Sequence, residues 1–217
     1  MQRITEPEVM DSLQDALEYD AMDFLDVNRA FAERAIELGP PQGLILDAGT
    51  GTARIPILMG QMRPQWHIIG IDLAQSMLQV GQTNVEQSGL QEQIKLEFVD
   101  AKQLPYPDAH FDMVVSNSLI HHLPTPLPFL VELKRVLKPN GAIFLRDLMR
   151  PNSLETLEVI VEREAGNSND YQKGLFRDSL YAAFTLDEIN ELMQQAGLVG
   201  VNVYQSSDRH WTAERSS

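Results

Sequence analysis

The chain of 217 residues has no cysteine, which excludes disulfides, thiolate metal ligands and a cysteine nucleophile, and leaves the redox compartment open. Positive charge is scarce. Against 31 Asp and Glu stand only 17 Lys and Arg, a formal net charge of -14, so a nucleic-acid backbone would meet a repulsive surface and no such partner is expected. No apolar run approaches bilayer-spanning length, and Met1 to Asp20 carries acidic groups but no stretch resembling a signal sequence. No membrane partner is therefore expected, and the cytoplasm is the expected location. Repeats and low-complexity segments are missing too. What remains is 43% hydrophobic and 22% charged, the proportions of a folded globule, and at this length one domain over 1–217 is expected.

Helical periodicity runs from about Glu8 to Leu38, with Val9, Leu13, Leu17, Val27, Phe31 and Leu38 on one side. Pro40-Pro41 closes this helical segment, 1–41. Over 42–148, five short apolar runs read as buried strands: Gly43 to Asp47, Trp66 to Ile71, Ile94 to Val99, Phe111 to Ser116 and Ala142 to Asp147. Helical stripes separate most of them. One is Ala74, Met77, Leu78, Gly81 and Val85, another Leu127, Leu130, Val131 and Leu137 with Lys134 off-pattern. Such alternation predicts an α/β fold, a parallel sheet covered by helices. The polar stretch 149–184 reads as a lid over the strand ends. In 185–217, Thr185 and Glu188 form a capping box, Leu186, Ile189, Leu192 and Met193 are the buried face of its helix, and Gly197 closes it. Val199 to Tyr204 and about Arg209 to Ala213 then read as an antiparallel hairpin at the sheet edge.

The chemistry concentrates at the first strand. Leu44-Ile45-Leu46-Asp47-Ala48-Gly49-Thr50-Gly51 is a buried strand running into a glycine turn, where missing Cβ atoms let the backbone turn tightly and approach a ligand. A dinucleotide fingerprint needs a third glycine at position 54, which is Arg54, so a nicotinamide-linked oxidoreductase is disfavoured. Asp47 suits a cation or an amino-acid moiety better than a phosphate. Asp72, about 20 residues beyond the loop, ends the second strand where a carboxylate can take both hydroxyls of a ribose. A solvated strand end is the plainer account of Asp72 and Asp100, as core packing is of Met77.

Taken in order, Asp47-Ala48-Gly49-Thr50-Gly51, Asp72, Asp100-Ala101, Phe111-Asp112 with Ser116-Asn117-Ser118, and Lys138-Pro139-Asn140-Gly141 resemble the motifs of class I S-adenosylmethionine-dependent methyltransferases. The resemblance implies a Rossmann-like, seven-stranded, mostly parallel sheet with helices on both faces and an antiparallel C-terminal hairpin. It implies S-adenosylmethionine as cofactor, held by Asp47 to Gly51 and Asp72, with Leu73 and Met77 near the base, Asp100 and Ala101 at the adenine, and Asn117 beside the methionine part. Ala53, where many members carry a further glycine, departs from the pattern. The Lys138 to Gly141 motif reads as a structural turn.

Methyl transfer is an in-line displacement that gains most from positioning, and a base is needed only for a protonated nucleophile. His121-His122 and Asp147 stand at strand ends and are the candidates. Plainer accounts are a backbone-bonded histidine pair, and a helix cap or an Arg146 or Arg150 partner for Asp147. Arg150, Arg177, Arg209 and His210 would gather round an anionic acceptor if lid and tail share an opening. Adjacent histidines with no third ligand nearby in sequence match no zinc spacing, so no metal is expected. A small-molecule acceptor is the leading reading. A non-catalytic S-adenosylmethionine-binding protein and a protein or RNA methyltransferase are the alternatives, and oligomeric state is not legible.

Overall fold

A computed structural model describes residues 1–6 and 11–217; Glu8 and Val9 of the N-terminal stripe lie outside that description. Seven strands form one sheet: β1 (Gly43–Ala48), β2 (Trp66–Asp72), β3 (Ile94–Phe98), β4 (Phe111–Asn117), β5 (Leu137–Leu148), β6 (Asn202–Gln205) and β7 (His210–Arg215), in the order β3-β2-β1-β4-β5-β7-β6. Strands β1 to β5 pair in parallel, and β7 runs antiparallel to both β5 and β6. This is the expected Rossmann-like sheet with its C-terminal hairpin. Chain order moves outward from β1 to β3 and then returns to the other side of β1, so it reverses between β1 and β4. In such sheets a crevice forms outside the carboxyl ends of the strands at that reversal.

The central strands are apolar on both faces. On β1 Ile45 enters one core and Leu46 the other; on β4 Met113 and Val115 enter the first and Val114 the second; on β5 Phe144 opposes Ile143 and Leu145. This period-two division is what burial on both faces requires. The first core is covered by α2 (Leu25–Leu38) and α3 (Arg54–Met62), with Val85 of α4 (Gln75–Ser88), the second by α5 (Leu127–Val136) and α8 (Leu186–Gln195).

Several details differ from the sequence expectation. The N-terminal helix is two, α1 (Leu13–Asp20) and α2, and Leu13, Leu17 and Val27 are exposed; α1 buries Ala16, and α2 buries Phe31, Ala32, Ala35 and Leu38. Small residues allow close approach, so alanines face inward beside Phe31 and Leu38. In α5 the sheet takes Phe129, Leu130, Leu133 and Val136 and leaves Val131 exposed, because two apolar phases compete and the one with the aromatic ring buries more area. Lys138 to Gly141 lies within β5, as an irregularity in its register with β4. Asn140 there has φ +61°, and a Cβ on Gly141 would stand 2.9 Å from the Asp112 carbonyl oxygen. The polar stretch 149–184 folds as α6 (Leu154–Ala165) and α7 (Asp170–Ala182), whose Leu157, Ile160, Val161 and Leu180 form a third core with Leu148 and Ala183.

The capping box is present as read: Thr185 accepts from the Glu188 N–H and the Glu188 carboxylate accepts from the Thr185 N–H. Thr185→Ala should cost about 1 kcal/mol, measured as a lowered urea midpoint with unchanged slope.

Candidate active site

The turn after β1 is built for close approach. Gly49 and Gly51 have φ of +75° and +53°, a region that side chains penalise. Ala53 holds φ +63° as the cap of α3, so the residue that departs from the family pattern still adopts a glycine-like conformation. Beneath the turn, a Cβ on Gly70 of β2 would meet the Thr50 hydroxyl at 2.6 Å, and one on Gly81 of α4 the Thr52 carbonyl carbon at 3.2 Å. Ser116 donates to the Ala48 carbonyl at 2.7 Å, and Asn84 donates to the Thr52 carbonyl at 3.0 Å. The loop is thus clamped from three elements.

Two carboxylates face it. Asp72 accepts from the Gly51 N–H at 2.8 Å with one oxygen and from the Ala74 N–H at 2.9 Å with the other. Each oxygen keeps a second lone pair for a hydroxyl. Asp47 is buried, and burial, with the Asp72 charge adding, pushes its pKa up to about 7. Its Oδ2 and the Thr50 Oγ1 are buried without a well-formed hydrogen bond to any described residue. Such unpaired polar atoms are costly, and a cationic amino-acid group meets that need; the residues present therefore fit S-adenosylmethionine. Along the β2 and β3 edge, Leu73 and Met77 are half-buried, Ala101 is buried, and Asp100 accepts from the Lys102 backbone and pairs with its ammonium. Asn117 ends β4 beside the turn.

Sequence reading missed two residues here. Tyr19 lies over the turn, its ring 3.9 Å from where a Gly51 Cβ would stand. Asp20 accepts from Arg54 at 2.8 and 2.5 Å and from Asn84 at 2.9 Å, tying α1 to α3 and α4. The exposure of Leu13 and Leu17 shows why periodicity offered no signal for either.

The second half of the site stands at the ends of β4 and β5. Beyond β4 a 3-10 turn, Ile120–His122, brings the two histidines back onto Asp147. The His121 ring Nδ1–H donates to Asp147 at 2.5 Å, the His121 backbone N–H to its other oxygen at 3.1 Å, and the Leu148 N–H at 2.6 Å. Burial alone would raise Asp147, but His121 holds its pKa below the usual carboxylate range; burial would lower His121, but Asp147 holds it above the usual imidazole range. Asp147 thus partners His121 and neither of the expected arginines. Arg150 is buried and bonds the Ala183 carbonyl and Glu188. Arg177 pairs with Glu158 and Arg209 with Glu164, so the cation cluster expected round an anionic acceptor is spent on ion pairs.

A further correction concerns the missing third ligand. Glu6, 115 residues away in sequence, reaches the histidines, 2.8 Å from His122 Nδ1 and 3.6 Å from His121 Nε2. It arrives on an arm that Arg3 clamps to the carbonyls of His121, Leu123, Pro124 and Ala182, with its guanidinium 3.8 Å over the Phe184 ring. Spacing could not reveal it.

Residues 42–197 match a family model described as a methyltransferase domain. The chain belongs to that family. The chain is 35% identical over 109 residues to the demethylmenaquinone methyltransferase of Listeria welshimeri, covering 50% of this chain and 46% of that protein. It therefore spans about half the length of the demethylmenaquinone methyltransferases it matches. It is 29% identical over 176 residues to the 27-O-demethylrifamycin SV methyltransferase of Amycolatopsis mediterranei, covering 79% and 61% of the two chains. In fold it is similar to a crystal structure from Methanococcus maripaludis assigned as an S-adenosyl-L-methionine-dependent methyltransferase, with TM-score 0.76, 16% identity, and 99% and 98% coverage. Family and fold agree: residues 42–197 form a methyltransferase-family domain, built on a sheet of the same architecture as that structure.

The raised Asp47 has a signed consequence. Between the unfolded carboxylate value of about 4 and about 7, the native state holds a proton the unfolded state lacks; this group's contribution to stability therefore falls as pH rises across that window. A cationic ligand favours ionised Asp47, so S-adenosylmethionine should bind with proton release near pH 6 to 7, roughly the range of that titration. Affinity should rise with pH and level off above about 7. Calorimetry in buffers of different ionisation enthalpy measures the released proton, and Asp47→Asn should abolish the dependence.

Proposed function

We propose that this methyltransferase transfers a methyl group to a small-molecule acceptor seated between the N-terminal arm and α7. The observation that carries the reading is the gathering of His121, His122 and Asp147 at the carboxyl ends of β4 and β5, beside the glycine turn at the sheet's reversal point. The relatives' names support it: one is a methyltransferase of demethylmenaquinone and the other of 27-O-demethylrifamycin SV.

On the cofactor side, Asp47 and the turn to Gly51 take the methionine part, Asp72 the ribose hydroxyls, and Leu73, Met77, Asp100 and Ala101 the adenine, with Asn117 beside the methionine part. When bound, S-adenosylmethionine supplies an electrophilic methyl group on a sulfonium, and the breaking C–S bond leaves its electrons on sulfur. The chain's own residues provide position and activation. Asp147 holds His121 in one tautomer through the Nδ1–H, so that Nε2 faces the arm. His122 is half-exposed and lies near enough to Asp72 for its charge to act on that carboxylate. These side chains activate the acceptor's nucleophile, whose proton is lost when its bond to the methyl carbon forms. A cavity of about 230 Å³ lined by Ile4, Thr5, Glu6, Asp178 and Tyr181 adjoins the pair, and α6 and α7 act as the lid above it, closing out water.

Two substitutions separate the halves. Asp72→Ala should weaken S-adenosylhomocysteine binding by about 1.5–3 kcal/mol, the worth of hydrogen bonds to a charged group, read by calorimetry. His122→Ala should lower turnover of an acceptor found by screening quinones, phenols and amines, roughly 10²-fold or more, the scale of acid-base activation, with cofactor affinity unchanged. Equal loss of cofactor affinity in His122→Ala would move that histidine to the cofactor side.

A further inference from the structure

Three electron-pair donors, one from the N-terminal arm and two from the middle of the chain, converge beside the cofactor turn. Glu6, His121 Nε2 and His122 Nδ1 place their ligand atoms within 4.8 Å of one another. We infer that they form a site for a divalent transition-metal ion of the zinc class, bound by two imidazoles and one carboxylate with its remaining positions open to water or the acceptor.

The first argument is the facing of lone pairs. The Nδ1–H of His121 is committed to Asp147, which leaves Nε2 directed at a Glu6 oxygen 3.6 Å away, where it offers a lone pair once a metal ion displaces its proton. That separation is too long for a good hydrogen bond. When His121 is protonated this contact serves as an ion pair, and a bound cation takes the place of that proton. A cation between them satisfies Nε2, the carboxylate and His122 together.

The second argument is the support around the ligands. An imidazole that binds metal through one nitrogen characteristically donates the other N–H to a carboxylate, which fixes tautomer and orientation. Asp147 does this for His121, and is itself fixed by the N–H groups of His121 and Leu148. Glu6 is delivered by a fastened arm: Arg3 clamps four carbonyls, and the Ile4 N–H donates to the Tyr181 carbonyl at 3.1 Å. The ligands are therefore held before any ion arrives.

Geometry and charge agree. Zinc bonds to nitrogen and oxygen of about 2.0–2.1 Å imply edges of about 3.4 Å between tetrahedral ligands, and the separations of 2.8 and 3.6 Å bracket that value. Glu6, Asp147 and Glu188 oppose Arg3 and Arg150 in this neighbourhood, so with the proton on His121 displaced one net negative charge receives the dication. Two nitrogen donors select zinc, cobalt or nickel over magnesium, which prefers oxygen throughout. Three protein ligands with open positions are the pattern of a reactive metal site, where the ion lowers the pKa of what binds it. This deepens the proposed acceptor role of the two histidines and rests on it for the site's place in the reaction; they act as ligands there and the ion replaces a general base.

The test uses tag-free full-length protein stripped with a chelator. Titration with zinc chloride should show one equivalent bound with micromolar or tighter Kd, and cobalt(II) should develop visible bands of a four- or five-coordinate nitrogen and oxygen site. Glu6→Gln and His122→Ala should each weaken binding at least tenfold, while His67→Ala, an exposed histidine on β2, binds as the parent does. Magnesium chloride at equal concentration should not compete. Absence of stoichiometric binding, or parental affinity in both Glu6→Gln and His122→Ala, overturns the inference. Binding of S-adenosylhomocysteine by each protein is measured alongside: its retention shows a variant is folded, and its failure in the parent strikes the methyltransferase reading and not the metal site. If one variant does not fold, the other, with the parental cobalt spectrum, decides.

Discussion

A carboxylate at the end of a central strand is stable only if its charge is answered, and Asp147, 1% exposed, is the group on which the arrangement at the ends of β4 and β5 depends. Burying an unpaired charge costs several kcal/mol, so the chain that follows β4 is drawn back until His121 supplies a ring N–H and a backbone N–H. That turn in turn presents the carbonyls of His121, Leu123 and Pro124, and Arg3 finds in them most of its partners. With Arg3 seated, Glu6 is brought to the Nε2 side of the same imidazole. One buried charge thus orders residues from the two ends of the first 150.

The cofactor half rests on a different constraint, the reversal of strand order between β1 and β4. It opens a crevice where two strand ends diverge, and the glycines after β1 let the backbone form its floor. Asp112 shows how strictly β1 is held: it accepts from the Leu44 N–H at 2.9 Å and pairs with Lys138 at 2.7 Å, so the Phe111-Asp112 and Lys138 to Gly141 motifs brace the sheet and stand apart from the chemistry. The irregular start of β5 is the place where that brace is fastened.

Much of this was legible in advance. Runs such as Leu44 to Leu46 and Met113 to Val115 are apolar at every position because parallel strands are buried on both faces, and Gly49 and Gly51 mark a turn only glycine enters without strain. Helix faces were less legible. Leu127 and Val131 and Phe129 and Leu133 offer two apolar stripes on α5, and periodicity cannot choose between them until a sheet is present. Of the N-terminal stripe Phe31 and Leu38 are buried as read, while Leu13, Leu17 and Val27 are exposed and the weakly hydrophobic Ala16, Ala32 and Ala35 are buried beside them.

The sequence by itself determined the order of strands and helices, the glycine turn and the identity of the acidic residues at the strand ends, because these follow from local periodicity and local backbone conformation. Only the tertiary structure decided which of the scattered polar groups meet. That Asp147 pairs with His121 and not an arginine, that Tyr19 covers the turn, and that Glu6 completes a cluster with two histidines 115 and 116 residues further along all depend on burial. The energy that selects those partners is the cost of leaving a buried charge unpaired, and that cost exists only once the chain has folded.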